Sequence, residues 1–263
     1  MTRIEKKFQD LKAANRKAFI PYITAGDPDL KASAEIIRRL ERAGADIIEV
    51  GVPFSDPIAD GPVIQRAAER ALDSHTTLRG VLSMASEVRK KSQVPLLLMS
   101  YYNPLLRYGL DNLARDAAAA GFDGILATDL TVEESGPFVE AMQRACLNTI
   151  FLVAPTSSPE RIRKIAETST GFLYAVSRTG VTGARQELSE DLRDFLRTLR
   201  SCTKVPIAVG FGISRPEHLQ AVWQEADGAV VGSAIVGEIA EYGARGDLAD
   251  KVSEFVLRLR GVE

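Results

Sequence analysis

Eight short runs rich in Val, Ile and Leu punctuate this chain, and each is followed by a longer stretch whose apolar residues return at helical spacing. The runs begin at Ala18 (AFIPYIT), Ala45 to Ile47 (ADIIEVG), Pro95 (PLLLMS), Gly124 (GILATD), Thr149 (TIFLVAP), Gly171 (GFLYAV), Pro206 (PIAVGFG) and Gly228 (GAVVGS). They recur about every 30 residues, the length that one strand, one helix and two short loops require. Each run is too apolar to leave one face in water, so the strands should be parallel and covered on both sides. Eight such units, with no linker or change of composition between them, favour a closed (β/α)8 (TIM) barrel over a doubly wound open sheet. Residues 1–263 then form a single α/β barrel domain.

The segments between the runs support this reading. Leu30, Ile36, Ile37 and Leu40 share one helical face, and Ser158-Pro-Glu-Arg161 opens another helix with a cap and an N1 proline. An extra N-terminal helix carries Ile4, Phe8 and Leu11, and a last one runs from Leu248 to Leu259. With 45% hydrophobic and 26% charged residues the chain is neither disordered nor fibrous. A formal charge of −2 leaves no electrostatic excess to hold nucleic acid or an anionic membrane. Cys146 and Cys202 have no CxxC or Cys/His spacing, which implies neither a disulfide framework nor a zinc site. No apolar stretch suits a secretory signal or a membrane span, so a cytoplasmic location is expected.

Active sites of this fold lie at the C-terminal ends of the strands, and glycines collect there. Gly210-Phe211-Gly212 follows one run, Gly232-Ser233 another, and Gly180-Val181-Thr182-Gly183 lies after a third. Backbone N–H groups at a helix N-terminus hold a phosphate well, and glycine lets the main chain come close. A phosphorylated small molecule is therefore expected, its phosphate on Gly183, Gly212, Gly232 and Ser233. Period-two alternation puts Ile47, Glu49 and Gly51 on one face of the second run, with Ile48 and Val50 on the other. Glu49 then points into the barrel, where a carboxyl costs several kcal/mol unless it is paired or protonated. The long loop from Pro53 to Pro62 adds Asp56, read as a turn cap, and Asp60, presented to the mouth. Two acids in unlike surroundings divide the work: Glu49 as acid/base and Asp60 as the anion. Tyr174, alternating with Phe172 and Val176, faces inward and could orient Glu49.

Absences narrow the chemistry further. His75 and His218 read as surface residues away from any strand end, so no metal site is expected. No lysine falls within a run, which removes the nucleophile of a Schiff-base aldolase. Breaking a C–C bond here would need the substrate to supply its own electron sink, whereas a phosphosugar isomerase on the same barrel would also use phosphate-binding glycines and a carboxyl acid/base.

The runs PYITAGDP (Pro21 to Pro28), EVGVPFSDPIADGP (Glu49 to Pro62), SRTGVTGA (Ser177 to Ala184), GFGIS (Gly210 to Ser214) and VGSAIV (Val231 to Val236) together resemble the tryptophan synthase alpha subunit over nearly the whole chain. The resemblance implies a (β/α)8 barrel and a lyase reaction, the retro-aldol cleavage of indole-3-glycerol phosphate to indole and glyceraldehyde 3-phosphate. It puts the family's catalytic acids on Glu49 and Asp60, and its indole pocket on Tyr22, Ile64, Met99, Leu126, Leu152 and Phe211, with Tyr174 nearby. It implies that the loop from Arg178 to Leu188 folds over the site, hinged at Gly180 and Gly183, with Thr182 bonding to Asp60. It also implies an α2β2 heterotetramer, in which a beta subunit turns the indole into tryptophan. Pyridoxal phosphate belongs to that partner, and no cofactor is expected on this chain. Interface residues map to Pro53, Asp56, Asn103 and Asp129. Thr131 stands where the family more often has proline, and Tyr22 and Met99 replace common phenylalanine and leucine. A stand-alone lyase that releases free indole fits the same residues.

Overall fold

The computed structural model describes residues 1–176, 189–210, 212–243 and 245–262. Nine parallel strands form one sheet: β1 (Ala18–Thr24), β2 (Ile48–Gly51), β3 (Leu96–Ser100), β4 (Gly124–Ala127), β5 (Asn148–Ile150), β6 (Leu152–Val153), β7 (Leu173–Val176), β8 (Ile207–Gly210) and β9 (Gly228–Val231). Their order is β5-β4-β3-β2-β1-β9-β8-β7-β6. The two edges are halves of one run, interrupted at Phe151, so the sheet returns to its start and encloses a barrel. The expected fifth strand is therefore two short strands. Across the break the ladder persists, because the Phe151 carbonyl accepts the Tyr174 N–H at 3.2 Å.

Alternation along the strands builds two cores. Ile48, Val50, Leu96, Leu98 and Ile125 point outward and pack against the helices. Ile20, Ile47, Leu97, Leu126, Ile150, Phe172 and Val230 fill the interior. Helix Arg3–Ala13 belongs to that inner core: Ile4, Phe8 and Leu11 join it, with the Phe8 ring 5.5 Å from that of Phe172. A capping box formed by Thr2 and Glu5 starts this helix. It closes the N-terminal end of the barrel, which leaves the C-terminal end as the open mouth. Helix Leu248–Arg260 packs against helix Leu30–Arg42 on the outside.

Side chains at the closed end satisfy strand N–H groups that the ladder leaves over. Asp46, just before β2, accepts the Phe19 N–H at 3.0 Å; Asp123, before β4, accepts that of Leu96 at 2.9 Å; Asp227, before β9, accepts that of Ile207 at 2.9 Å. Thr170 does the same for Thr149 at 2.8 Å. A buried strand N–H without a partner costs about 1–3 kcal/mol, so these links fix where each strand begins. No helix among the described residues is long and apolar enough to cross a membrane.

Candidate active site

Strand β2 carries Glu49 into the open half of the barrel, in register with Tyr22 on one side and Leu97 on the other. Its side chain is 0% exposed, and neither carboxyl oxygen has a hydrogen-bond partner of good geometry. Loss of water is the main reason its pKa is pushed up to about 8, and the charge of Asp60 adds to the rise. The Tyr174 hydroxyl approaches and acts in the opposite sense, without offsetting the burial. Glu49 therefore holds its proton at neutral pH.

Asp60 closes the loop after β2, one residue before the Gly61 cap of helix Pro62–Asp73. The loop is folded on itself: Asp60 donates its N–H to the Pro57 carbonyl at 3.0 Å, and the Gln65 side chain donates to the Asp60 carbonyl at 2.9 Å. Asp56 lies in the same loop, its carbonyl accepting the Ile58 N–H at 2.9 Å and its carboxylate the Ser55 hydroxyl at 2.5 Å. The Asp60 carboxylate is half-buried and accepts a hydrogen bond from the Tyr101 hydroxyl at 3.1 Å. Burial raises its pKa and the Tyr101 bond lowers it, with burial prevailing. The two acids thus stand in unlike surroundings, one dry and unpartnered, the other partly wet and held.

Around them the walls are apolar. Tyr22, Ile64 and Met99 pack with Ala67 and Val236, and Met99 also meets the interior cluster that holds Leu126, Leu152 and Tyr174. The structure thus brings together the described residues expected to form an indole pocket. Two glycines make room for the tyrosines. A β-carbon on Gly210 would lie 2.8 Å from the Tyr174 ring, and one on Gly51 would collide with Tyr22. Burial raises the pKa of both phenols, so both stay protonated.

Gly232 caps helix Ser233–Tyr242 at the end of β9, with no acid in the first helical turn to occupy its N–H groups. Gly212 has a φ of +65°, a conformation that favours glycine, while the space beside it is open. Both lie at the C-terminal ends of their strands, as a phosphate site requires. Ser233 is exposed at the same helix start. Thr182, Gly183 and Phe211, with hinge residue Gly180, lie outside the described residues. On the rim, Asp56, Asn103 and Asp129 are exposed, whereas Pro53 is buried. Asp129 accepts the Tyr102 N–H at 2.6 Å and so caps helix Tyr102–Tyr108.

Two placements differ from the sequence expectation or go beyond it. His218 is 8% exposed, not a surface residue: helix Pro216–Glu225 turns it to the same side as Leu219 and Val222, and burial lowers its pKa. Tyr101, which directly follows β3 where side chains reach the mouth, joins the site although no local sequence pattern points to it.

An α/β barrel closed at one end by a helix, with a protonated acid buried beneath a half-wet aspartate at the other, defines a barrel enzyme that works at its C-terminal mouth. A family model described as tryptophan synthase alpha chain matches residues 8–260. A curated tryptophan synthase alpha chain from Solibacter usitatus (strain Ellin6076) is 52% identical over 260 residues, 99% of this chain and 97% of that one. The crystal structure of tryptophan synthase subunit alpha from Legionella pneumophila str. Paris superposes with a TM-score of 0.92 at 39% identity, covering 99% of this chain and 98% of that one. A chain from a structure of the tryptophan synthase α2β2 complex of Pyrococcus furiosus gives a TM-score of 0.89 at 41% identity, covering 93% and 98%. The chain belongs to the tryptophan synthase alpha chain family, and is an enzyme.

Proposed function

We propose that the chain is a carbon–carbon lyase, cleaving indole-3-glycerol phosphate to indole and glyceraldehyde 3-phosphate by a retro-aldol step. The observation that carries this reading is Glu49: a carboxyl wholly buried beside an apolar pocket, its pKa near 8 and its oxygens free to act on a substrate. Glu49 donates its proton to C3 of the indole ring, giving an indoleninium whose C=N⁺ takes up the electrons of the breaking C–C bond. The substrate is its own electron sink, so neither a lysine nor a cofactor on this chain is required. Asp60 accepts the indole N–H and stabilises the positive charge as it grows on the ring, an interaction stronger in the transition state than in the ground state. Glu49, now ionised, takes the proton of the C3′ hydroxyl as the aldehyde forms. Tyr174 orients Glu49 from β7. The ring is assigned to Tyr22, Ile64, Met99, Leu126, Leu152 and Phe211, the phosphate to Gly183, Gly212, Gly232 and Ser233, and a supporting hydrogen bond to Asp60 to Thr182, roles that for Phe211, Gly183 and Thr182 rest on the sequence and its family resemblance alone.

The relative from Pyrococcus furiosus belongs to an α2β2 complex, and the same assembly is proposed here, in the cytoplasm, with pyridoxal phosphate confined to the beta subunit. The rim supports a docking role. Ile58 is 86% exposed on the loop that carries Asp60, beside a groove lined by Phe54, Leu72, Asn103 and Tyr108. Asn103 lines this groove and Asp56 is exposed on the loop that carries Ile58, while Pro53 and Asp129 are assigned to the same interface by the family resemblance. The test is an assay for glyceraldehyde 3-phosphate from indole-3-glycerol phosphate, with and without a beta subunit. Glu49→Gln should lower turnover by about 10²-fold or more while a glycerol phosphate analogue still binds. Isomerised phosphosugar without C–C cleavage, or near-normal turnover in E49Q, would refute the reading.

A further inference from the structure

One side chain touches the loop after β2 at three points. The Tyr101 ring packs against the ring of Phe54, with centroids 5.2 Å apart. Its hydroxyl accepts the Ala59 N–H at 2.9 Å and donates to Asp60 Oδ2 at 3.1 Å. The residue is only 4% exposed, and the chain is fixed immediately after it by the Asp129 cap on Tyr102. A phenol has one proton and accepts readily; with the backbone N–H pointing at its oxygen, that proton is directed to the carboxylate. The Asp60 side chain is thus held from outside its own loop, by a residue anchored to the barrel wall.

The geometry points to Tyr101 as the positioning residue of Asp60: it clamps the loop onto the end of β3, aims the carboxylate into the mouth and keeps it ionised for a ring N–H or a developing cation. This rests on the lyase reading for what Asp60 acts upon, but not for the clamp itself. Among the described residues the titratable groups that feel the Asp60 charge are Tyr101, Glu49, Tyr22 and Tyr174, all acids, and that charge helps to keep each of them protonated. Tyr101 is the one that donates. Asp129 in turn disfavours ionisation of the Tyr101 phenol, which helps retain the donor.

The experiment uses the full-length chain carrying Tyr101→Phe, which keeps the ring contact with Phe54 and removes only the hydroxyl. The Asp60 carboxyl is titrated by NMR, and kcat and KM are measured across pH for wild type, Y101F, D60N and the double variant. In Y101F the Asp60 pKa should rise, the acid limb of the kcat profile should move to higher pH, and kcat should fall about 10-fold, the scale of one charge-assisted hydrogen bond, with KM little changed. Adding Y101F to D60N should cost nothing further, because the phenol acts through the carboxylate. An unchanged Asp60 titration, or equal losses from Y101F in the D60N and wild-type backgrounds, would overturn the assignment. A wild-type chain that releases no glyceraldehyde 3-phosphate would count against the lyase reading instead, and the carboxyl titration, which needs no turnover, would still decide the role of Tyr101.

Discussion

The ring of Tyr22 fills the space that a side chain at Gly51 would need: a β-carbon built on Gly51 would stand 2.2 Å from the Tyr22 hydroxyl oxygen. That hydroxyl is paired with Thr24 at 3.2 Å, and the ring is wedged between β1 and β2 in the barrel mouth. Because Gly51 lies two residues beyond Glu49 on the same face, the tyrosine also sets how close a substrate can come to the acid. Gly51→Ala should therefore displace Tyr22 or the strand itself, destabilising the fold by about 1–3 kcal/mol, as overpacked cores do. Chemical denaturation measures this. A stable G51A with normal KM would show that the ring yields freely.

The pH response of the fold is set by Glu49. Its folded pKa of about 8 lies above the ordinary 4.5 of an unfolded chain, so between those values the folded state holds a proton that the unfolded state has released. Stability from this group is full at low pH and declines as pH rises toward 8. Glu49→Gln abolishes that decline and should be more stable than wild type at pH 9, by about 1–4 kcal/mol, while the two differ less at pH 4.5. Thermal melts across pH check this. A wild-type profile parallel to that of E49Q would mean that Glu49 is not buried as a neutral acid.

Turnover should follow the same proton. If Glu49 must start protonated, kcat is sustained below about pH 8 and falls above it, while protonation of Asp60, whose pKa burial also raises, gives the acid limb. E49Q should lose the alkaline limb along with most of the rate.

Gly232 separates phosphate binding from folding. Its missing β-carbon would meet nothing nearer than 3.7 Å, an ordinary contact with Tyr22. Gly232→Ala should therefore leave the melting temperature nearly unchanged, yet raise KM by about 10-fold or more by keeping the phosphate off the helix N-terminus. Unchanged KM would mean that this turn binds nothing. The same change at Gly212 is less informative, because its positive φ already strains any other residue.

Asp46 offers the converse. It is buried at the closed end, where it accepts the Phe19 N–H and stands near Lys7 and Arg16. Asp46→Ala should cost about 1–3 kcal/mol or more in urea unfolding, since it leaves a buried N–H unpaired, with kcat unaffected. A loss of kcat without a loss of stability would contradict the division between a stabilising end and a reactive end.

Local order along the chain was enough to identify the strands, the inward direction of Glu49, the Ser158 cap and the glycines after β8 and β9, because each follows from period, propensity or backbone freedom within a few residues. The resemblance of the longer runs added the family. What lay beyond reach were meetings between distant positions: Tyr101 with Asp60, 41 residues apart, Tyr22 over Gly51, and His218 turned inward. The break at Phe151 belongs with them, since the run itself continues unbroken through Phe151 in apolar residues. Periodicity fixes which face a side chain takes, but not which neighbour it finds there. That is decided by strand register and by the way a loop folds back, and both exist only once the sheet has closed.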